Sequence, residues 1–286
     1  MAIHIQVRID PLELKKKLER IVGERNPSTT PRRLAEAERY IENEFKSYGL
    51  DVESDPFTYW GRSYRNIVGR GRANPDSPLV ILGAHFDSVE GTPGADDNAS
   101  GVAVLLETAR LLAGARLKYQ LFFCAFNLEE QNMIGSSHFA KKLKNAGAKI
   151  RAMISLEMVG FIDRRAGSQK YPVGLSWFYP ERGDFIGVIG NWHSYSLLRQ
   201  FSRSMQRVRG LPVETLTVLG NGFLVPAVRL SDHSAFWDLG YPALLITDTS
   251  FFRNPHYHGA SDTLETLDLE FMGKVCEGVV TAVLNL

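Results

Sequence analysis

Histidines and carboxylates at seven positions of this sequence could bind metal ions or transfer protons. They lie in the short motifs GAHFDS, GADDNASG, FNLEEQNMIGS, ISLEMVG and NPHYHGASDT. No cysteine is among them, and a ligand set of imidazole and carboxylate suits zinc or a neighbouring divalent metal. The candidates are His85, Asp87, Asp97, Glu129, Glu130, Glu157 and His258.

The residue types suggest how a site for two metals would be built. Such a site needs a bridging carboxylate, further ligands on each metal and an open position for water. Asp97 is the natural bridge, because its glycine-flanked turn lets the backbone approach closely. Glu129 is then free beside the ligand Glu130, and a free carboxylate next to a metal-bound water acts as a general base. Asp87 can accept a hydrogen bond from the second nitrogen of His85 and fix its tautomer.

Strand-like and helix-like segments alternate around these motifs. This alternation predicts an α/β fold with a mostly parallel sheet covered by helices on both faces. The runs LVILGA, QLFFCAF and IRAMISL are continuously apolar, as central strands are. In such folds ligands bind beyond the carboxyl ends of the strands, where His85, Glu129 and Glu157 fall. The candidates are therefore expected at one edge of the sheet.

Two further regions are expected to frame the site. Helices are predicted within about 10–49, since Pro11 and Pro31 suit helix starts and Gly49 a helix end. The irregular segment at about 161–183 is too long for a plain connection and is predicted to border the active site. Loop aromatic residues fit an apolar pocket as well as they fit core. They are Trp177, Phe178, Tyr179, Phe223, Phe251 and Phe252.

Composition limits the classes of partner and compartment. The chain has 286 residues, with 33 Lys and Arg against 32 Asp and Glu, so its net charge of +1 predicts neither a nucleic-acid nor a membrane partner. No apolar run reaches transmembrane length, and the start MAIHIQVRID has no signal-peptide pattern, so a cytoplasmic protein is expected. Oligomeric state is not predicted.

Other histidines leave alternatives open. His256 is two residues from His258 and could rival it as a ligand. His233, together with Asp232, could either support the site or belong to a helix cap.

The motifs together resemble those of the co-catalytic zinc aminopeptidases of the bacterial leucyl aminopeptidase type, which are related to the glutaminyl cyclases. The resemblance rests on GAHFDS, PGADDNASG, the glutamate pair before a Gly-Ser helix start, and YHGASDT, in the family's order between residues 83 and about 268. It implies a single zinc-peptidase domain over residues 1–286. Its fold would be a twisted, mostly parallel mixed sheet of the phosphorylase/hydrolase-like kind.

The resemblance also implies a cofactor and residue roles. Two zinc ions are expected, with cobalt or manganese as possible substitutes. One ion would bind His85, Asp97 and Glu157, and the other Asp97, Glu130 and His258; Glu129 would be the base, Asp87 would support His85, and Tyr257 would stabilise the oxyanion. Many members have Asp at the position of Glu157, so this chain places a longer ligand there.

These features predict a metal-dependent hydrolase, most simply an aminopeptidase that acts on peptides with a free N-terminus. A metal-bridging hydroxide would attack the peptide, with Glu129 as general base. Two alternatives remain: a single-zinc acyltransferase like the glutaminyl cyclases, and an inactive binding protein on a peptidase fold. The complete bridging motif and His85 favour two metals and hydrolysis, and metal content per chain separates the three.

Overall fold

The computed structural model describes residues 9–72, 76–172 and 174–286. Its helices are α1 (Pro11–Ile21), α2 (Pro31–Ser47), α3 (Gly101–Leu112), α4 (Ile134–Asn145), α5 (Tyr195–Met205), α6 (His233–Asp238) and α7 (Leu269–Leu284). Its strands are β1 (Asp51–Tyr59), β2 (Arg62–Arg70), β3 (Leu79–His85), β4 (Gln120–Phe126), β5 (Ile150–Glu157), β6 (Ile186–Asn191), β7 (Val213–Val218) and β8 (Ala243–Thr247).

The described strands form one eight-stranded mixed sheet in the order β1-β2-β4-β3-β5-β8-β6-β7. The central strands β4, β3, β5 and β8 run parallel to their neighbours within this group. Antiparallel pairs join β1 to β2, β2 to β4, and β6 to β8. The predicted mostly parallel mixed sheet is confirmed.

Helices cover both faces of the sheet, as predicted. Strand β3 is buried along its whole length, and its side chains alternate between two hydrophobic clusters. Val80 and Leu82 join the cluster that contains residues of α1, α2, α3, α5 and α7. Ile81 joins the cluster that contains residues of α4 and α6. This alternation explains why the LVILGA run carries no polar residue, since neither face of β3 meets water.

The N-terminal helices are part of the same packed body. Lys17 of α1 forms a buried ion pair with Glu107 of α3, with Nζ 2.9 Å from Oε2. Leu14, Leu18 and Ile21 are fully buried in the larger cluster. The helices therefore pack against the sheet layer that carries the candidate site.

The segment 161–183 folds back on itself between β5 and β6. A bridge pairs Asp163 with Gly183, and the backbone N–H of Gln169 donates to the carbonyl of Glu181. A 3-10 turn, Leu175–Trp177, lies at its tip. Among the described residues, no helix is long and apolar enough to cross a membrane.

Candidate metal centre

The candidate ligands come from chain segments that leave the sheet at one edge. His85 and Glu157 are the last residues of β3 and β5. Glu130 follows the end of β4, and His258 lies in the loop after β8. Asp97 lies in the turn between β3 and α3. The parallel strands thus deliver residues far apart in sequence to one place, as expected for such sheets.

The carboxylate of Asp97 lies between two imidazoles. Its Oδ1 is 3.3 Å from Nε2 of His85, and its Oδ2 is 3.1 Å from Nε2 of His258. One carboxylate that faces two separate nitrogen ligands has the arrangement of a bridge. The structure therefore places Asp97 where the sequence predicts the bridging ligand.

The other carboxylates divide between the two imidazoles. Both carboxylate oxygens of Glu157 are 3.4 Å from Nε2 of His85. Oε2 of Glu130 is 3.5 Å from Nε2 of His258. The result is two ligand groups that share Asp97, and the grouping is the one that the family resemblance implies. Oε2 of Glu129 is 3.9 Å from Nε2 of His85, farther than the ligand carboxylates.

The charges in this cluster fit bound cations. Burial raises the pKa of Glu129 well above its usual range, and burial together with Asp97 raises that of Glu130 to about 7. Among the described residues, Oε1 of Glu130 is buried without a hydrogen-bond partner. Crowded, buried carboxylates are unfavourable unless positive charge compensates them. With their imidazole and carboxylate donors, these residues suit zinc ions.

Asp87 supports the glutamate pair more directly than it supports His85. Its two carboxylate oxygens accept hydrogen bonds from the backbone N–H groups of Glu129 and Glu130, each at 3.1 Å. Its Oδ1 lies 3.5 Å from Nδ1 of His85, which is longer than a normal hydrogen bond. The sequence predicted the contact with His85 and missed the two backbone contacts.

Other supporting residues were also missed. Asp262 accepts hydrogen bonds from the backbone N–H groups of Asp96 and Asp97, at 2.9 and 3.1 Å, and so fixes the bridging turn. The hydroxyl of Ser231 donates to Oε2 of Glu157 at 2.9 Å. Asp262 stands in the same motif as His258, which is the signal that could have revealed it. Ser231 has no comparable signal in the sequence.

Arg25 ties the N-terminal region to the bridging turn. Its guanidinium is fully buried and donates to the carbonyls of Phe86, Pro93 and Gly94. It also donates to the carbonyls of Ile21 and Gly23. Gly94 has φ of 60°, and a Cβ there would lie 2.4 Å from the carbonyl oxygen of Asp97. The turn therefore requires glycine at this position. Arg25 donates hydrogen bonds to the carbonyl groups of the turn.

The two histidines left open as alternatives, His256 and His233, make their contacts elsewhere. Nδ1 of His256 pairs with the hydroxyl of Ser261 at 2.9 Å, so His256 is held away from the ligand groups. Nε2 of His233 donates to the carbonyl of Val228, and its ring packs edge-on against Trp237. Asp232 does not cap α6 through its side chain. Burial raises the pKa of this carboxyl to about 7.

Tyr257 stacks on the neighbouring ligand. Its ring centroid is 3.7 Å from that of His258, and the two planes are 20° apart. Burial, together with Asp97 and the nearby glutamates, raises the pKa of its phenol. The phenol therefore keeps its proton at neutral pH and can donate a hydrogen bond into the site.

A mostly apolar cavity opens beside the ligands. The predicted loop contributes Leu175 and Tyr179 to its wall, and Phe251, Phe252 and Tyr257 also line it. The expectation of a pocket is wrong for three of the aromatic residues, because these side chains point to solvent. Trp177, Phe178 and Phe223 are 85%, 78% and 68% exposed.

Comparisons with known proteins show which proteins this chain resembles. Escherichia coli YfbL, itself uncharacterized, is 38% identical over 257 residues, covering 86% of this chain and 78% of that protein. A zinc aminopeptidase from Bacillus subtilis is 27% identical, with a TM-score of 0.60 over 79% of this chain and 50% of that one. The Porphyromonas gingivalis glutaminyl cyclase is 22% identical and shares the fold, with a TM-score of 0.71 over 96% and 98% of the two chains.

The curated relatives named leucine aminopeptidases are longer than this chain, which spans 52% to 56% of their length. The model of peptidase family M28 matches residues 66–283, a range that contains every candidate ligand. With this match over most of the sequence and the ligands gathered at one edge of the sheet, the chain belongs to peptidase family M28.

Proposed function

We propose that this peptidase is an aminopeptidase that removes N-terminal residues from peptides with the help of two zinc ions. One observation carries the proposal: Asp97 faces both His85 and His258, and each imidazole has a carboxylate of its own. Such a pair of ligand groups suits two metals that share one bridge. Glu129 is then left free to act on the substrate.

Two bound zinc ions would polarise the scissile carbonyl and lower the pKa of a water molecule at the site. His85, Asp97 and Glu157 would hold one ion, and Asp97, Glu130 and His258 the other. Asp87 accepts hydrogen bonds from the backbone N–H groups of both glutamates, so it fixes the backbone position from which each side chain extends. Glu130 can therefore serve as a ligand while its neighbour moves protons.

Glu129 would take a proton from the attacking water and return it to the leaving amine. A general base must lie within reach of that proton, and Glu129 lines the cavity beside the ligands. Tyr257 would donate a hydrogen bond to the oxyanion, since its phenol stays protonated and lines the same cavity.

The carboxylates also supply a reason for choosing free N-termini. Glu129 and Glu157 line the cavity and can receive a cationic α-amine. An acetylated N-terminus lacks that charge and brings a bulkier neutral amide against the same carboxylates. The proposed enzyme therefore cleaves free N-terminal residues and spares blocked peptides.

The single-zinc acyltransferase alternative fits the site less well. It would leave one of the two ligand groups without a role, although both are complete in this chain. An inactive binding protein would not need Glu129 at all. The shared fold does not choose between these functions, because function depends on the site.

The decisive experiment uses zinc-loaded protein whose metal content has been measured. Matched peptides with free and acetylated N-termini are incubated with it, and the products are identified by mass spectrometry. We expect two metals per chain and release of single residues from the free peptides only. One metal per chain with cyclised products would support the acyltransferase instead. Internal cuts, or equal cleavage of both peptides, would contradict an aminopeptidase.

A further inference from the structure

A row of paired residues crosses the floor of the cavity, from the metal centre to the edge strand β7. Glu157 pairs with Thr247, Thr247 with Gly187, and Gly187 with Glu214. Residues that pair in register project to the same face of a sheet. All four line the cavity. Glu214 therefore stands at the far end of a row that begins at a metal ligand.

The floor between these two glutamates is open and apolar. Leu245, Ile189 and Leu216 form the next row on the same face, and all three line the cavity. Gly187 has no side chain to fill the space above it. Because Glu157 and Glu214 are three strand spacings apart, about 14 Å separates their backbones. A long, thin side chain can lie along this floor.

Within the described parts of the chain, no hydrogen bond or ion pair joins the carboxylate of Glu214 to another residue. It is only partly exposed, and burial raises the pKa of its carboxyl. Lys170 also lines the cavity, but its side chain is exposed and makes no ion pair with Glu214. The cavity is thus lined by a carboxylate, that of Glu214, whose charge no described residue neutralises.

Protection of the sheet edge does not explain this position. Among the described strands, β7 pairs only with β6, and charged residues on edge strands discourage unwanted pairing between sheets. A charge on the solvent-facing side of β7 would serve that purpose without being half-buried beside Leu216 and Ile189. Placing a carboxylate among apolar side chains costs free energy unless a ligand brings the opposite charge.

We propose that the cavity selects N-terminal residues with long cationic side chains, arginine or lysine, and that Glu214 binds their charged end. This proposal rests on the aminopeptidase function above and names its substrate class. The aliphatic stem of the substrate would lie over Leu245, Ile189 and Leu216, while its α-amine stays near the metal ligands. Amphipathic side chains bury their methylenes in this way and keep the charge at a polar partner. Glu214 is thus a residue that determines specificity.

The test compares aminoacyl amides that match in shape and differ in charge. Arginine is compared with its neutral analogue citrulline, and lysine with norleucine, on wild-type zinc-loaded protein and on Glu214→Gln. We expect wild type to favour the cationic member of each pair. In Glu214→Gln, kcat/KM for arginine should fall roughly ten- to hundredfold, the range for losing a hydrogen bond to a charged group. Cleavage of the citrulline amide should stay unchanged.

Glu181→Gln is the matched control, because Glu181 is an exposed acid of the loop beside the cavity and does not line it. It should leave the preference for arginine over citrulline intact. Equal cleavage of both amides by wild type, or an unchanged preference in Glu214→Gln, would overturn the proposal. If no amide were cleaved, the proposed function would fail. Calorimetric binding of argininamide against citrullinamide would then still decide the role of Glu214.

Discussion

At the scale of single residues, the neighbours Glu129 and Glu130 have different proposed roles, general base and metal ligand. Oε2 of Glu130 lies 3.5 Å from Nε2 of His258, whereas Oε2 of Glu129 lies 3.9 Å from Nε2 of His85. Their adjacent backbone N–H groups both donate to one carboxylate, that of Asp87, so the same contact anchors the backbone of both residues. Their roles therefore differ only by where each side chain points.

Glu129→Gln should keep two metals per chain and lose most hydrolysis. General base catalysis contributes about two to four orders of magnitude, and the amide cannot accept the proton. The measurement is kcat on zinc-loaded protein, with metal content determined by elemental analysis. Glu130→Gln is the matched control, and it should lose one metal instead. Near wild-type turnover in Glu129→Gln would move the base role to another residue.

The sequence motifs predicted most of the proposed site, because only a few types of side chain can act as metal ligands. The five proposed ligands could be named from the sequence, and the structure brings them together. Arg25 and Glu214 could not be found this way. Their significance depends on packing between distant segments, since one binds carbonyls of a turn about 70 residues away. A lone arginine or glutamate in sequence carries no sign of such contacts.

At the scale of elements, apolar runs located the strands and helices closely. Strand β3 was predicted over Leu79 to Ala84 and spans Leu79–His85. The sheet order was not predictable, because the antiparallel placement of β6 beside β8 arises from tertiary packing and has no local sequence pattern. The sequence left Trp177 and Phe178 open as residues of a pocket or of the core. They are exposed and do not line the cavity, since the 3-10 turn directs them outward.

Arg25→Ala should weaken both the fold and the metal centre. Its buried guanidinium donates hydrogen bonds to the carbonyls of Pro93 and Gly94. Without these hydrogen bonds, the carbonyl oxygens are left as unpaired acceptors. We expect the free energy of unfolding of metal-free protein to fall by on the order of 3 kcal/mol, measured in urea. Zinc affinity should also fall, because the turn that carries Asp97 loosens. Arg33→Ala is the control, since Arg33 binds carbonyls at the protein surface. A stable Arg25→Ala variant with wild-type zinc affinity would show that the turn holds itself.

At the scale of the whole molecule, one buried histidine makes stability depend on pH. Burial lowers the pKa of His233 to about 3, whereas the unfolded chain titrates near the ordinary value of 6.5. As the pH falls below 6.5, His233 becomes protonated in the unfolded chain but stays neutral in the folded protein. The free energy of unfolding should therefore decrease by up to about 1.4 kcal/mol per pH unit from this group.

His233→Gln should remove this contribution, because glutamine can donate to the same carbonyl and does not titrate. Between pH 7 and pH 5, urea unfolding should show a flatter decline in stability for the variant than for wild type. The exposed His193 provides the control, and His193→Gln should follow the wild-type profile. Parallel profiles for wild type and His233→Gln would mean that His233 takes up a proton in the folded protein.

The proposed ligands are spread from His85 to His258, and this spacing has a consequence during synthesis. The group around His85 has all of its side chains once Glu157 has been made. The second group must wait for His258, which a ribosome reaches about 5 to 20 s later at ordinary elongation rates. Strands β6, β7 and β8, which carry the cavity floor, are also made in that interval. In the proposed arrangement, a nascent chain therefore has all the ligands of the first metal before it has those of the second, and it cannot cut neighbouring nascent peptides until His258 has been made.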